Sequence, residues 1–213
     1  IMAAFPRAEL HVYYGFSAAY RKQMTAKMGL DGYLDFENKM MRLLNQTNVH
    51  YHGPVPHHEL ALAYHKASFF LYPSIFAETG CIAMMKAMMY GAIPVTSRLV
   101  DTALEELGHG FDLGPGRWSG DDRSAAVNQS GWHNSSLTRN TEKFDSLTLP
   151  DLKVENAVAT WLVEQYWPCL LQVLRADRRA LHEHRVSMQE YARKALTWVS
   201  SAKTLQSMLE SNS

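Results

Sequence analysis

Residues 68–98, SFFLYPSIFAETGCIAMMKAMMYGAIPVTSR, constrain the fold more than any other stretch. Residues 68–72 are a short, aromatic-rich apolar run of strand type, and Pro73 ends it. Pro73-Ser74 and Glu78-Thr79-Gly80 are turn material, with an acid just ahead of a helix start, where the macrodipole favours negative charge. Residues 81–90 are rich in Ala and Met, carry one charge and no breaker, and predict a mostly buried helix. Gly91 stands where a C-terminal cap belongs, and 92–97 form a second apolar strand. Strand, helix and strand make a βαβ unit, which belongs in a parallel sheet. The turn before its helix lies at a strand's carboxyl end, where open α/β sheets bind ligands.

The remaining chain extends this pattern. Residues 9–14 predict a strand and 17–28 a helix that Gly29 ends. A second helix is expected over 35–46, a strand over 48–52, a stiff Gly53-Pro54-Val55-Pro56 loop, and a helix over 57–66. After the central stretch come a short helix at 101–107, led by Asp101, and a strand at 110–113. This alternation implies an α/β fold with a Rossmann-like, doubly wound parallel sheet. The pattern fails over 114–150, where Gly, Ser, Asn, Asp and Thr dominate; a structureless loop that long is uncommon inside a compact domain and reads as an insertion. Trp118 and Trp132 within it read as packing residues. From 154 onward the chain reads as helical, with a kink at Pro168, a helix over 177–195 and a last amphipathic helix over 198–209. The expected organisation is therefore a core at 1–113, an irregular insertion at 114–150 and C-terminal helices at 151–213 packing on the core.

The chain has 213 residues, with 21 Lys+Arg against 21 Asp+Glu. No field of one sign argues for nucleic acid or an anionic membrane surface. No run approaches the roughly 20 apolar residues of a spanning helix. Cys81 and Cys169 are the two cysteines, both in apolar surroundings, and read as reduced packing residues. With no basic-then-apolar start, the expected location is cytoplasmic.

Tyr72-Pro73-Ser74, Glu78-x-Gly80, and Ala87-Met88-x-x-Gly91-x-x-Pro94-Val95 together resemble the donor-site signature of retaining glycosyltransferases of the GT-B fold, family four. Flanking segments follow in the same order. Glu9-Leu10-His11-Val12 before Gly15 resembles the second strand of the C-terminal half, Leu107-Gly108-His109-Gly110 a conserved turn, and Tyr191-Ala192-Arg193 with Thr197-Trp198 the closing helices. The resemblance implies the donor-binding half of a GT-B enzyme that moves a hexose from a nucleoside diphosphate sugar with retention. It implies no cofactor and no metal. It places the acceptor on an N-terminal domain that, with the first strand, would precede residue 1, so these residues alone would turn over little substrate. The other readings of such a chain are a non-catalytic binding module on the same fold, or a nucleotide-sugar epimerase.

The candidate residues follow. Glu78 would hydrogen-bond the transferred sugar; its plainer role is to cap the next helix. Gly80 and Cys81 would turn backbone N–H groups toward the donor's distal phosphate, as helix N-termini do for anions, or Gly80 merely makes the turn. Thr79 would add a hydroxyl and Ile82 would shape the pocket. Gly53, Pro54 and Val55 resemble the loop that edges the nucleotide base, or are simply a tight loop. Lys86 departs from the family pattern, which has a second glutamate there for the nucleotide ribose. A carboxylate accepts from both ribose hydroxyls and an ammonium only donates, a loss of about 1–3 kcal/mol unless replaced. Lys86 would instead meet a donor phosphate oxygen. His50, His52, His57 and His58 cluster in sequence, but no Cys or further acid completes a metal site with them. They read as solvated or loop-packing histidines. His182 and His184 read as surface, and the Met84, Met85, Met88 and Met89 set as core.

Overall fold

The structure, a computed structural model, describes residues 4–74, 79–97, 103–108, 111–114 and 162–211. The described residues up to Leu60 form one compact unit and those from Ala61 onward a second. Glu78, Asp101, Trp118 and Trp132, and all of the 114–150 insertion except Gly114, lie outside the described residues.

In the first unit, β1 (Leu10–Tyr13) pairs in parallel with β2 (Val49–Gly53), with His11 opposite His50 and Val12 opposite Tyr51. Between them runs α1 (Ala18–Leu44), whose amino end Ser17 caps by accepting from the Tyr20 amide at 3.1 Å. The expected break falls at Gly29 (φ 77°, ψ 165°), but the helix resumes directly after it and not at Asp35. Residues 30–34 carry Leu30, Tyr33 and Leu34 at helical spacing, and Tyr33 is wholly buried. The Tyr33 hydroxyl donates to Glu37 Oε1 at 2.9 Å, and the same oxygen pairs with Arg21 at 2.6 Å. The ion pair thus ties the two halves of the helix across the kink. Phe16 meets Phe36 and Tyr51 edge-on, with ring centroids 6.2 and 6.4 Å away, joining α1 to β2.

Helix α2 (His57–Lys66) carries Glu59 in its first turn and Lys66 in its last, both complementing the helix dipole. The second unit then builds the expected strand–helix–strand. β3 (Phe69–Tyr72) pairs in parallel with β4 (Ile93–Thr96), Phe69 opposite Ile93 and Tyr72 opposite Thr96, and α3 (Ile82–Tyr90) is the crossover. The Ala92 amide reaches back to Ala87 O at 2.9 Å and Gly91 adopts φ 94°, a Schellman-type close. Met84, Ala87 and Met88 of α3 are fully buried, as are Ile93 and Val95 of β4.

Behind α3 lie the C-terminal helices. A π-helical turn at Leu162–Tyr166 leads into α5 (Trp167–Arg175), after α4 (Ala103–Gly108); α6 (Arg178–Ala195) and α7 (Trp198–Ser211) follow. Pro168 sits in the first turn of α5, where its missing N–H costs nothing, and the change of helical register precedes it. Asp177 caps α6 by accepting from the Arg179 and Ala180 amides. α6 packs on α3: Met188 and Ala192 are fully buried, and Gln189 Nε2 donates to Met89 O at 3.4 Å. α7 leaves Trp198, Leu205 and Leu209 exposed. Among the described residues no helix is long and apolar enough to cross a membrane.

Two expectations are corrected. Residues 111–114 form no strand. The Thr96 amide, which a neighbouring strand's carbonyl would take in a ladder, goes instead to Asp112 Oδ1, leaving one backbone bond from Leu113 N to Pro94 O. His184 is not a surface residue. It is half-buried, its Nε2 donates to Phe111 O at 2.8 Å, and its ring meets Phe111 edge-on.

Candidate functional site

β3 and β4 run in parallel, so both carboxyl ends open on one edge of the second unit. A crossover helix runs back against its strands, which brings the amino end of α3 to that same edge. Ser97, the residue after β4, donates its hydroxyl to Ser74 O, just beyond β3. Below this tie sits a buried carboxylate. Asp112, 2% exposed, accepts with Oδ1 from the Thr96 amide at 3.0 Å and the Gly114 amide at 2.7 Å. A Cβ on Gly114 would lie 1.8 Å from Thr96 O, so only glycine permits this approach. The Tyr166 hydroxyl donates to Val95 O at 2.7 Å, and Cys169 Sγ contacts Leu113 O at 3.2 Å. Burial, chiefly, and then the nearby Asp112 charge push the Tyr166 phenol well above its ordinary pKa. The edge is therefore tied together by the side chains of Ser97, Asp112, Tyr166 and Cys169.

On this frame stands the amino end of α3. Thr79 and Gly80 are exposed, Cys81 is the N-cap and is buried, and its side chain makes no capping bond. The first-turn amides of a helix have no acceptor within it, and α3 has no acid in that turn. The positive end of the dipole, roughly half a charge, is uncompensated from within the helix. Ile82 is exposed and Lys86 half-buried, and being four residues apart they share one face. Among the described residues Lys86 makes no ion pair. Exposed first-turn amides with no acid in that turn are suited to an anion such as a phosphate.

Thr79, Gly80, Cys81 and Ile82 stand at this helix end, and Lys86 lies one turn further along α3. Glu78, between Ala77 and Thr79, lies outside the described residues. Gly53, Pro54 and Val55 belong to the first unit. There Gly53 is buried with φ 68° and its carbonyl accepts from the Tyr14 amide at 2.7 Å, while Pro54 is exposed. Sequence reading passed over Asp112, although an acid inside the apolar run Phe111-Asp112-Leu113 is itself a sign of buried pairing. It likewise passed over Tyr166, which carries no local sign of its partner.

Residues 29–126, just under half of the chain, match the family model for glycosyl transferases group 1. That span contains the candidate donor-site residues 53–55, 78–82 and 86. Over those residues the chain is similar to that family, which points to glycosyl transfer in general. No curated protein and no solved structure matches the chain.

Proposed function

We propose that this chain carries the donor-binding domain of a GT-B glycosyltransferase of family four, which transfers a hexose from a nucleoside diphosphate sugar with retention of configuration. One observation carries the reading: the amino end of α3, with Thr79, Gly80 and Ile82 exposed, no acid in its first turn and the half-buried Lys86 one turn on, lies inside the span that matches the family model. Loss of a nucleoside diphosphate builds negative charge on the leaving phosphates as the anomeric carbon turns positive. Preorganised amides and a cation stabilise that charge without reorganisation during the reaction. In this reading the amides at Gly80 to Ile82 take the distal phosphate, Lys86 bonds a phosphate oxygen, and Thr79 adds a hydroxyl. Glu78 bonds the sugar's hydroxyls. The chemistry asks for no metal or other cofactor.

Calorimetric titration with UDP, GDP and ADP tests this reading. One of the three binds, and Lys86→Ala weakens it about ten- to hundredfold, the equivalent of one charge-assisted bond of about 1.5–3 kcal/mol. Absence of binding to all three nucleotides refutes the donor-site reading. Equal affinity in the Lys86 variant removes Lys86 from it and favours a fold kept as a binding module.

A further inference from the structure

Away from the α3 edge, folding assembles a cluster on the first unit that no run of sequence displays. In a strand, side chains two apart share a face. β1 and β2 are in register with His11 opposite His50. One face of this two-stranded sheet therefore collects Glu9, His11 and Tyr13 from one side and His50 and His52 from the other. The contacts bear this out. His11 Nε2 lies 3.2 Å from Glu9 Oε2 and His11 Nδ1 lies 3.0 Å from His52 Nε2. The His11 ring stacks on His50 at 4.8 Å, and Tyr13 stacks on His52 at 4.5 Å. One ligand atom from each of Glu9, His11 and His50 lies within 4.8 Å of the others.

From this geometry we infer a binding site for a divalent transition-metal ion, with Glu9, His11 and His50 as ligands and His52 as the residue that positions His11. The donor set, two imidazoles and one carboxylate, suits zinc, nickel or copper and not magnesium or calcium, which prefer all-oxygen shells. Tetrahedral zinc with bonds of about 2.0–2.1 Å sets its ligand atoms about 3.3 Å apart. The His11–Glu9 separation of 3.2 Å already matches that edge. Closing the remaining gap takes a shift of at most about 1.5 Å, which rotation of the exposed His50 ring supplies. A metal-bound histidine characteristically donates its other ring N–H to an acceptor that fixes its orientation. His11 Nδ1 has that acceptor in His52 Nε2, and Tyr13 holds the His52 ring by stacking. The ion sits between His11 Nε2 and Glu9 Oε2, and a water completes the shell. Because His11 and His50 come from different strands, the ion pins β1 to β2.

The test titrates the protein, stripped of metal by chelation, with Zn²⁺ alone, and reads Co²⁺ by its visible absorption. One equivalent binds, Co²⁺ shows the intense bands of a tetrahedral site, and saturating Zn²⁺ raises the thermal midpoint, because the unfolded chain lacks the preformed site. His11→Ala and His50→Ala each abolish the stoichiometric binding. Glu9→Gln, an isosteric surface change that leaves the fold intact, weakens it at least tenfold. His52→Ala keeps the stoichiometry and the Co²⁺ bands but weakens affinity, about ten- to hundredfold as for other outer partners. His57→Ala and His58→Ala change nothing. Absence of stoichiometric Zn²⁺ binding overturns the inference. So does binding that survives both Glu9→Gln and His50→Ala, or that follows His57 and His58.

Discussion

Asp112 offers the sharpest test of how the candidate edge is held. Its Oδ1 is the acceptor for two buried amides, those of Thr96 and Gly114, and the residue is 2% exposed. Asp112→Ala strands both donors. Each buried, unsatisfied amide costs about 1–3 kcal/mol, so the substitution destabilises the second unit by about 2–6 kcal/mol. That is a large share of the roughly 5–15 kcal/mol that holds a typical domain together. Asp112→Asn keeps an oxygen in the same place and gives up only the charge-assisted part of each bond, about 1–2 kcal/mol in all. Urea unfolding followed by circular dichroism reads the global term. With a slope of about 2 kcal/mol per molar, the alanine variant moves its midpoint down by about 1–3 M and the asparagine variant by less than 1 M. Amide hydrogen exchange reads the local term, with protection at Thr96 and Gly114 falling before that of β3. If Asp112→Ala unfolds within about 0.5 kcal/mol of the parent and Thr96 keeps its protection, the two amides have other acceptors. The account of the clamped edge then fails.

Two further substitutions probe the packing behind α3. Gly91 has φ 94°, and a Cβ there would stand 2.9 Å from Gln189 Nε2. Gly91→Ala therefore costs about 1–2 kcal/mol from the left-handed conformation alone, and the same substitution in a Gln189→Ala background costs less if the Gln189 contact matters, which a double-mutant cycle measures. Tyr166 has a folded-state pKa raised above its ordinary value of 10.0. The phenol must stay neutral in the fold, so its contribution is whole below pH about 10 and is lost as pH climbs above that value. Thermal midpoints taken across the alkaline range fall above pH 10 in the parent, and Tyr166→Phe, lower throughout because Val95 O loses its donor, falls less steeply. Parallel curves for the two proteins would show that Tyr166 does not set the alkaline limit.

Several elements were legible from local sequence because the forces that make them are local. The Pro73 stop and the Gly91 cap act within a few residues, and each stands where the sequence puts it; Ser17 and Asp177, where helices were expected to begin, cap them. Ala-Met composition alone predicts a buried α3, and Met84, Ala87 and Met88 are buried. The helix of residues 30–34 was misread because its breaker, Gly29, suggested a longer gap than packing of Tyr33 allows. The expected strand at 110–113 was misread because an apolar run says nothing of which donors remain to be paired.

What the chain alone determined is therefore its succession of helices and parallel strands, and which residues stand at the head of α3, where neighbours in sequence are neighbours in space. The tertiary structure decided the rest. Asp112 meets Thr96 across 16 residues, His11 meets His52 across 41, and Tyr166 meets Val95 across 71. Pairings of that reach depend on strand register and on which helix covers which face. Those follow from burying apolar surface over the whole unit, and no local pattern encodes the partner.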